Sequence, residues 1–159
     1  MKYRDFLIRS WEKSDRQIAA NIIGSVLAEY GLRWEPLAAD EDVLKIEEFY
    51  QDKGGEFLVV ERQSKLVATA AYYPIQRGNN AVEIRKMYLL PEVRRQGLGT
   101  FLLKELEKRI AERGFNEIWI ETATVLKEAV ILYEKNGYQP ASGVETKRCD
   151  LVYVKTINN

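Results

Sequence analysis

The sequence predicts a mixed α/β fold whose first half pairs mainly antiparallel strands. Three observations lead to this class: short apolar runs bounded by turn residues, amphipathic segments with helical spacing, and a glycine close behind the helical segments. The segments follow one another in the order β-α-α-β-β-β-α-β-α-β-β. Such an order is typical of helices that cover the faces of one mixed sheet.

Each strand is predicted from an apolar or alternating run of suitable length. The predicted strands are 6–10, 57–61, 66–75, 81–90 and 117–122, followed by two closing strands near 138–140 and 147–157. A turn at 63–65 joins two of them into an antiparallel hairpin. A second turn at 77–80 leads into the run 81–90, which is the central strand.

Each helix is predicted from apolar residues that recur at helical spacing. The predicted helices are 14–30, 40–50, 97–113 and 126–136. Ser14 and Gln17 have the spacing of a capping box, which places Ser14 at the N-cap of the first helix. Asp40 is expected to cap the second helix, which continues to Tyr50. A glycine directly follows the first, third and fourth helices and is expected to end them.

The composition limits the possible functions. At 159 residues the chain is expected to form one domain that spans 1–159. Its 24 basic and 24 acidic residues give zero net charge, so we expect no nucleic-acid partner. The chain has no histidine and a single cysteine, Cys149. Ser-His-Asp triads, Cys-His pairs, internal disulfides and the common histidine or cysteine metal sites are therefore excluded, and we expect no metal.

The sequence also lacks the usual signals for export or membrane insertion. Its N-terminal residues are charged and include no apolar run of a signal peptide. No segment approaches the ~18 consecutive apolar residues of a membrane helix. We therefore expect a soluble, cytoplasmic protein with no membrane partner.

The segment Arg94-Arg95-Gln96-Gly97-Leu98-Gly99-Thr100, called here the glycine loop (residues 94–100), lies between the central strand and the third helix. Its two glycines allow a tight backbone turn with free N–H groups. Together with the positive end of the helix dipole, these N–H groups form a site for phosphate oxygens, and the arginines add charge. The loop therefore predicts a phosphate-bearing cofactor.

Two common phosphate motifs do not fit the glycine loop. A Walker A loop requires a lysine after its last glycine, but Gly99 is followed by Thr100 and Phe101. A dinucleotide fingerprint requires a third glycine at the position that Leu102 occupies. The pattern Arg94-x-x-Gly97-x-Gly99 instead resembles the acyl-CoA pyrophosphate loop of the GNAT superfamily of N-acetyltransferases.

Two further segments strengthen the resemblance, which covers roughly residues 56–155. The run Ala129-Val130-Ile131-Leu132-Tyr133-Glu134-Lys135-Asn136-Gly137-Tyr138 resembles the superfamily's second hallmark, a short helix ending in Tyr-Glu-Lys-x-Gly-Phe/Tyr. Upstream, residues 82–89 look like its central strand. The resemblance implies a GNAT fold, with a central mixed sheet of about six or seven strands, splayed at the cofactor wedge and flanked by four helices.

The resemblance also implies acetyl-CoA, and hence coenzyme A, as the cofactor. In the superfamily a bulge splays the central strand, and the pantetheine arm pairs with its free backbone groups, which here fall on Met87 and Leu89 with Tyr88 between them. The diphosphate is expected on the N–H groups of Arg95 to Thr100. The implied cofactor-binding residues are Met87, Tyr88, Leu89, Arg94, Arg95, Gln96, Gly97, Leu98, Gly99, Thr100 and Tyr133.

Acetylation of an amine requires that the thioester is held rigidly, that the amine loses a proton, and that the departing thiolate is stabilised or protonated. Tyr133 aligns with the tyrosine that, in many members, directs its hydroxyl at the sulfur, and a phenol is a competent donor there. The alternative is that Tyr133 is simply a packed aromatic residue.

The general base is expected to be a carboxylate or a bound water. Glu83 matches the glutamate that serves as base in several members, and apolar neighbours would raise its pKa. By the strand period it should share a face with Arg85 and Met87. Alternatively, Glu83 is a charge partner for Arg85 or Lys86, or binds the substrate ammonium. Glu121, at the end of the next strand, is the second candidate for the base.

One position departs from the superfamily's pattern. Many members carry an asparagine three residues before the helix alanine, where it bonds the pantetheine amides. Here that residue is Leu126, and Thr122, Thr124 or Lys127 are candidates to replace the contact.

The leading hypothesis is an acetyl-CoA-dependent N-acetyltransferase that acetylates a primary amine, most simply on a small molecule, by direct attack in a ternary complex. Nothing indicates an acyl-enzyme, because Cys149 lies on a late strand. A protein acetyltransferase acting on N-termini or lysines, and a non-catalytic acyl-CoA-binding module, are the alternatives. The sequence leaves a homodimer open.

Overall fold

The computed structural model describes residues 1–157 as one mixed sheet with helices on both faces. Its strands are β1 (Lys2–Tyr3), β2 (Phe6–Ser10), β3 (Glu56–Arg62), β4 (Lys65–Ile75), β5 (Ala81–Leu89), β6 (Glu117–Thr122), β7 (Gln139–Pro140) and β8 (Leu151–Thr156). Its α-helices are α1 (Arg16–Glu29), α2 (Glu41–Leu44), α3 (Leu98–Glu112) and α4 (Lys127–Lys135). None of the helices within 1–157 has both the length and the apolar character needed to cross a membrane.

The strands lie in the order β1-β2-β3-β4-β5-β6-β8-β7. Every neighbouring pair is antiparallel except β5 and β6, which are parallel. The predicted mixed α/β class is therefore confirmed. The strand not expected from the sequence is β1, which pairs Lys2 with Leu7 and Tyr3 with Phe6. Two residues are too few to show a period-two pattern, so this strand had no readable signal.

The two faces of the sheet carry separate apolar cores. On one face, α3 contributes a buried stripe that includes Leu102, Leu106 and Ile110, and α4 contributes Tyr133. On the other face, α1 packs through residues such as Ile23 and Leu27, together with the segment that contains Val43, Ile46 and Tyr50. The central strands are buried on both sides, which explains why β4 is an almost continuous apolar run.

The central strand β5 contains a bulge at Lys86, whose φ is +53°. The register with β4 shifts at the same place: Ala71 pairs with Arg85, whereas Thr69 pairs with Tyr88. On its other side β5 pairs with β6 only as far as Ile84. Beyond that residue β5 continues to Leu89 without a strand neighbour on this side among the described residues. The opening between β5 and β6 is called the wedge below.

The capping box predicted at Ser14 and Gln17 is wrong. A cap is formed two residues earlier, where the Glu12 N–H donates to Asp15 Oδ2 at 2.7 Å at the start of a short 3₁₀ turn. Helix α1 then begins at Arg16. Asp15 also accepts two hydrogen bonds from Arg9, at 2.8 and 2.9 Å. A charged carboxylate accepts stronger hydrogen bonds than a serine hydroxyl does, which explains why Asp15 and not Ser14 forms the cap.

The second predicted helix, over 40–50, is interrupted. Helix α2 ends at Leu44, Lys45 leaves the helical region with φ −136° and ψ 49°, and a π-helical turn covers Glu47–Gln51. Asp40 precedes α2 but makes no side-chain cap, because its carboxylate binds Lys86 and Arg148 instead. The closing strand β8 likewise begins at Leu151 rather than 147, since residues 145–149 are held in a loop by contacts described below.

Candidate active site

The wedge opens into a cavity of about 290 Å³ between β5, β6, the start of α3 and helix α4. The end of α1 and the segment that follows it line one side of this cavity, through Val26 on the helix and Tyr30 and Leu32 after it. The predicted site residues that line it are Glu83, Met87, Tyr88, Leu89, Arg94, Arg95, Gly97, Gly99, Thr100 and Tyr133. Gln96 and Leu98 are absent from the lining. The structure thus gathers residues from distant parts of the chain around one space.

The glycine loop turns sharply at Gly97, which has φ +83° and is the N-cap of α3. The Phe101 N–H donates to the Gly97 carbonyl at 3.0 Å, so the preceding N–H groups come before the first helical bond. A Cβ at Gly97 would lie 2.5 Å from the Tyr3 hydroxyl. The backbone conformation therefore favours glycine strongly, and any side chain would also have to displace the Tyr3 hydroxyl.

Gly99 leaves space inside the cavity itself. A Cβ there would lie 3.6 Å from Leu132 Cδ2 and 3.9 Å from Leu89 Cδ2, which are ordinary contact distances to two lining side chains. A larger side chain would extend into the space between them. The open strand edge, the exposed helix N-terminus and this space suit an acyl-CoA thioester whose diphosphate lies at the start of α3.

The two arginines of the glycine loop differ in their contacts. Arg94 binds Glu29 with two hydrogen bonds, at 2.6 and 2.8 Å, and donates from Nε to the Leu89 carbonyl at 3.1 Å. It thereby ties α1 to the loop. The Arg95 side chain is 87% exposed, and its nearest charged partner is Glu128 at 3.6 Å. Arg95 is thus the freer of the two to bind a phosphate.

Gln96 and Leu98 have structural contacts outside the cavity. Gln96 Nε2 donates to the Glu92 carbonyl at 3.0 Å, and its Oε1 accepts from Arg62 at 3.2 Å. Leu98 is buried in the core beneath α3. Only the main-chain N–H groups of these two residues are left for the role that the resemblance implies.

Glu83 lines the cavity from β5 and is 7% exposed. Burial raises its pKa above the usual value for a glutamate, and Arg85 opposes the shift. Arg85 Nη1 donates to Glu83 Oε2 at 2.9 Å. The expectation that Glu83 shares a face with Arg85 is confirmed, whereas the expectation that it also shares this face with Met87 is wrong. The bulge at Lys86 interrupts the alternation, so Met87 packs on the opposite face, against the core beneath α3 and α4.

Glu121, the second candidate for the base, is committed to other contacts. Its carboxylate accepts from Arg77 at 3.0 Å and from the N–H groups of Glu145 and Thr146 at 2.9 and 2.8 Å. Burial alone would raise its pKa, but these donors outweigh burial and lower it. Glu121 therefore holds residues 145–146 in place, and its lone pairs are largely used.

Tyr133 lies on α4 with its ring against Tyr138 and Tyr153, at centroid distances of 5.9 and 6.4 Å. It also lines the cavity. Burial, then Tyr88 and Cys149, raise its pKa well above the usual value, so the hydroxyl stays protonated at neutral pH. Packing and proton donation are compatible for this side chain. The placement of Cys149 on a late strand is wrong: it lies on the loop before β8 and lines the cavity. Burial raises the pKa of its thiol to about 11, which disfavours the thiolate that an acyl-enzyme would need.

The candidates to replace the missing asparagine can be ranked by position. Leu126 and Thr122 line the cavity, whereas Thr124 and Lys127 do not. Thr124 is occupied by Asp150, which accepts from its N–H at 2.7 Å and from its hydroxyl at 2.8 Å. Thr122 is thus the best placed of the three substitutes.

A buried ionic group that the sequence pattern did not predict lies beside the cavity. Asp40, with none of its surface exposed, accepts from Lys86 at 2.7 Å and from Arg148 at 2.6 and 2.7 Å. Arg148 lines the cavity and also donates to the Arg33 carbonyl at 3.0 Å. The consecutive cations Arg85 and Lys86 inside an apolar strand were the available signal, because they break the expected alternation.

Comparison with known proteins agrees with this geometry. The profile of the Acetyltransferase (GNAT) family matches residues 23–138. The uncharacterised N-acetyltransferase YjgM of Escherichia coli K12 is 31% identical over 136 residues, which cover 84% of this chain and 81% of YjgM.

Solved structures show the same fold. A GNAT-family acetyltransferase from Staphylococcus aureus Mu50 has a TM-score of 0.88 at 18% identity, covering 96% of this chain and 99% of that one. The structure of YncA from Salmonella typhimurium with its cofactor acetyl-CoA has a TM-score of 0.77 at 19% identity, covering 97% and 95%. The chain therefore belongs to the GNAT family of acetyltransferases and is an acyltransferase that uses acetyl-CoA.

Proposed function

We propose that residues 1–159 form one catalytic domain that acetylates the primary amine of a small molecule by direct attack within a ternary complex. The observation that supports this most is the placement of Glu83 and Tyr133 on one cavity. One is a buried carboxylate with a raised pKa and the other a protonated phenol. They are the two proton-transfer groups that the reaction needs.

Glu83 is the proposed base. A primary amine reaches the enzyme largely as its ammonium form, which cannot attack until a proton leaves its nitrogen. The raised pKa of Glu83 brings its carboxylate closer to the neutral range in which a base works best. Among the described residues only Arg85 donates a hydrogen bond to Glu83, and it does so through Oε2. Oε1 is therefore the atom proposed to take the proton.

Tyr133 is the proposed acid. Bound acetyl-CoA supplies the acetyl thioester, and the N–H groups of residues 95–100 together with the Arg95 side chain are proposed to hold its diphosphate. Tyr133 carries its proton at Oη at neutral pH, as an ordinary tyrosine does, and burial raises its pKa further. It can then donate that proton to the departing sulfur. The backbone of β5 beyond Ile84 is proposed to bind the pantetheine arm as an added strand.

A small acceptor is favoured by the way the cavity is enclosed. Arg148, on the loop before β8, binds Asp40 and the Arg33 carbonyl, which lie on the segment between α1 and α2. Glu121 fixes the same loop from β6. Two segments are thereby joined across one end of the cavity, which leaves less room for a folded protein than for a small amine.

The test is release of free CoA thiol from acetyl-CoA with matched panels of acceptors. One panel contains amino acids, polyamines and simple primary amines, and the other contains peptides with a free N-terminus or an internal lysine. We expect turnover in the first panel that Glu83→Gln strongly reduces. Turnover with peptides alone would overturn the small-molecule assignment and favour a protein acceptor.

A further inference from the structure

We propose that Asp42 and Tyr50 are positioning residues that set the basicity of Glu83 by acting through Arg85. The inference deepens the proposed function and rests on it for its catalytic meaning. It concerns a chain of side chains that runs from the α2 segment to the cavity.

The contacts form a continuous series. The Tyr50 hydroxyl donates to Asp42 Oδ2, and the same Oδ2 lies 3.7 Å from Arg85 Nε. Arg85 Nη1 donates to Glu83 Oε2 at 2.9 Å. Tyr50 and Asp42 are buried, so the series lies almost entirely out of water. Electrostatic interactions are stronger in such surroundings than at the surface.

The interruption of the second helix makes the first contact possible. In a continuous helix, residues 42 and 50 would lie about 12 Å apart along the axis, too far for a direct hydrogen bond. The break at Lys45 and the π-helical turn Glu47–Gln51 bring the Tyr50 hydroxyl to Asp42. Turns of this kind inside helices are often found at functional sites. Here the irregular backbone places the hydrogen-bonded carboxylate of Asp42 next to Arg85.

Other charged or titratable groups also face Glu83. Glu121 lies on β6 and Arg77 on the turn after β4, and both act on Glu83 through their charges. Tyr73 is its register partner on β4, and Cys149 lies on the loop before β8. None of these donates a hydrogen bond to Glu83 among the described residues. Arg85 is therefore the group through which a distant change reaches Glu83 most directly.

The Arg85 guanidinium is shared between two carboxylates, which gives opposite predictions for two conservative variants. Asp42→Asn removes the competing carboxylate, so Arg85 stabilises the charged form of Glu83 more and its pKa falls. Tyr50→Phe removes the donor to Asp42, whose carboxylate then attracts both Arg85, at 3.7 Å, and Lys86, at 3.5 Å, more strongly. Glu83 loses part of its stabilisation and its pKa rises. We expect shifts of about 0.5 to 1 unit in opposite directions.

Two measurements test the inference. The first is the acidic limb of kcat/KM against pH, which should move to lower pH in Asp42→Asn and to higher pH in Tyr50→Phe. The second is direct titration of the Glu83 side-chain carboxyl by NMR in protein labelled at glutamate, which does not depend on turnover. Asp15→Asn is the matched control, since it removes another buried carboxylate paired with an arginine, Arg9. This control should lower Tm but leave the acidic limb of kcat/KM and the NMR titration of Glu83 unchanged.

Each outcome decides a different point. Opposite displacements in both readouts support the inference. Displacements in the same direction, or none beyond the Asp15→Asn control, overturn it, and Tyr50→Phe alone suffices if Asp42→Asn does not fold. If the NMR titration responds as expected but Glu83→Gln leaves kcat/KM unchanged, the positioning stands and the assignment of Glu83 as base fails.

Discussion

Arg85 Nη1 donates to Glu83 Oε2 at 2.9 Å, and the two residues lie on the same face of β5, directly before the bulge. The contact limits how far burial can raise the pKa of Glu83. A fully buried, unpaired carboxyl would remain protonated at neutral pH and could not accept a proton. The pair therefore provides a carboxylate that is basic but still ionisable.

The Glu83→Gln variant should lose kcat/KM at neutral pH by about 10²- to 10⁴-fold, because the amide keeps the shape and cannot accept the proton. Activity should recover partly as pH rises, since the amine is then already deprotonated. The measurement is kcat/KM across the neutral and alkaline range. A rise in KM with kcat nearly intact would instead indicate a substrate-binding role.

The Tyr133→Phe variant should lower kcat by about 10- to 1000-fold with little change in acetyl-CoA affinity. Only the hydroxyl is removed, and the ring keeps its contacts with Tyr138 and Tyr153. Single-turnover kinetics and calorimetry with acetyl-CoA separate the two effects. An unaltered kcat in an assay limited by chemistry would leave Tyr133 with a packing role alone.

Substitution of the loop glycines should weaken cofactor binding by different routes. Gly99→Val places a side chain between Leu89 and Leu132 and should raise the Kd for acetyl-CoA at least tenfold, which is about 1.4 kcal/mol. Gly97→Val should also lose stability, because its φ of +83° and the nearby Tyr3 hydroxyl oppose any side chain.

Gly24→Ala is the control for these variants. Gly24 is a helical residue of α1 with room for a Cβ, so alanine should not lower stability and should leave the Kd unchanged. Unchanged affinity in a folded Gly99→Val variant would show that the diphosphate binds elsewhere.

Asp40→Asn should destabilise the protein by about 3 kcal/mol, because it leaves Lys86 and Arg148 without their shared buried partner. Burial alone would raise the pKa of Asp40, but Arg148 and Lys86 outweigh it and lower the pKa from 3.8 to about 2. A lowered pKa means that the charged carboxyl stabilises the fold above pH 3.8 and that this stabilisation is lost as pH falls toward 2. In urea unfolding, the difference in the free energy of unfolding between wild type and variant should therefore become smaller as the pH is lowered. A difference in unfolding free energy that does not change with pH would show that the charge of Asp40 is not the source of the stabilisation.

The glycine loop and the main strands could be predicted because their signals are local. Gly97 and Gly99 mark a strand-to-helix turn, and runs such as 66–75 show their class within a few residues. The buried ionic group could not be predicted in this way. Asp40 and Arg148 are far apart in the chain, and only the assembled sheet brings them together. The break at Lys45 has no local signal either, because the helical period of apolar residues continues through it. Tertiary contacts of Asp42 and Tyr50 override that period.

The bulge at Lys86 has a consequence for how this chain can change in length. Arg85 and Lys86 both face the α1 side, whereas Met87 packs beneath α3, so side-chain alternation before and after the bulge is out of phase by one residue. Deleting or inserting a single residue between 83 and 89 would exchange the apolar and charged faces of half the strand. A change within this segment that preserves both faces of the strand must therefore be a substitution.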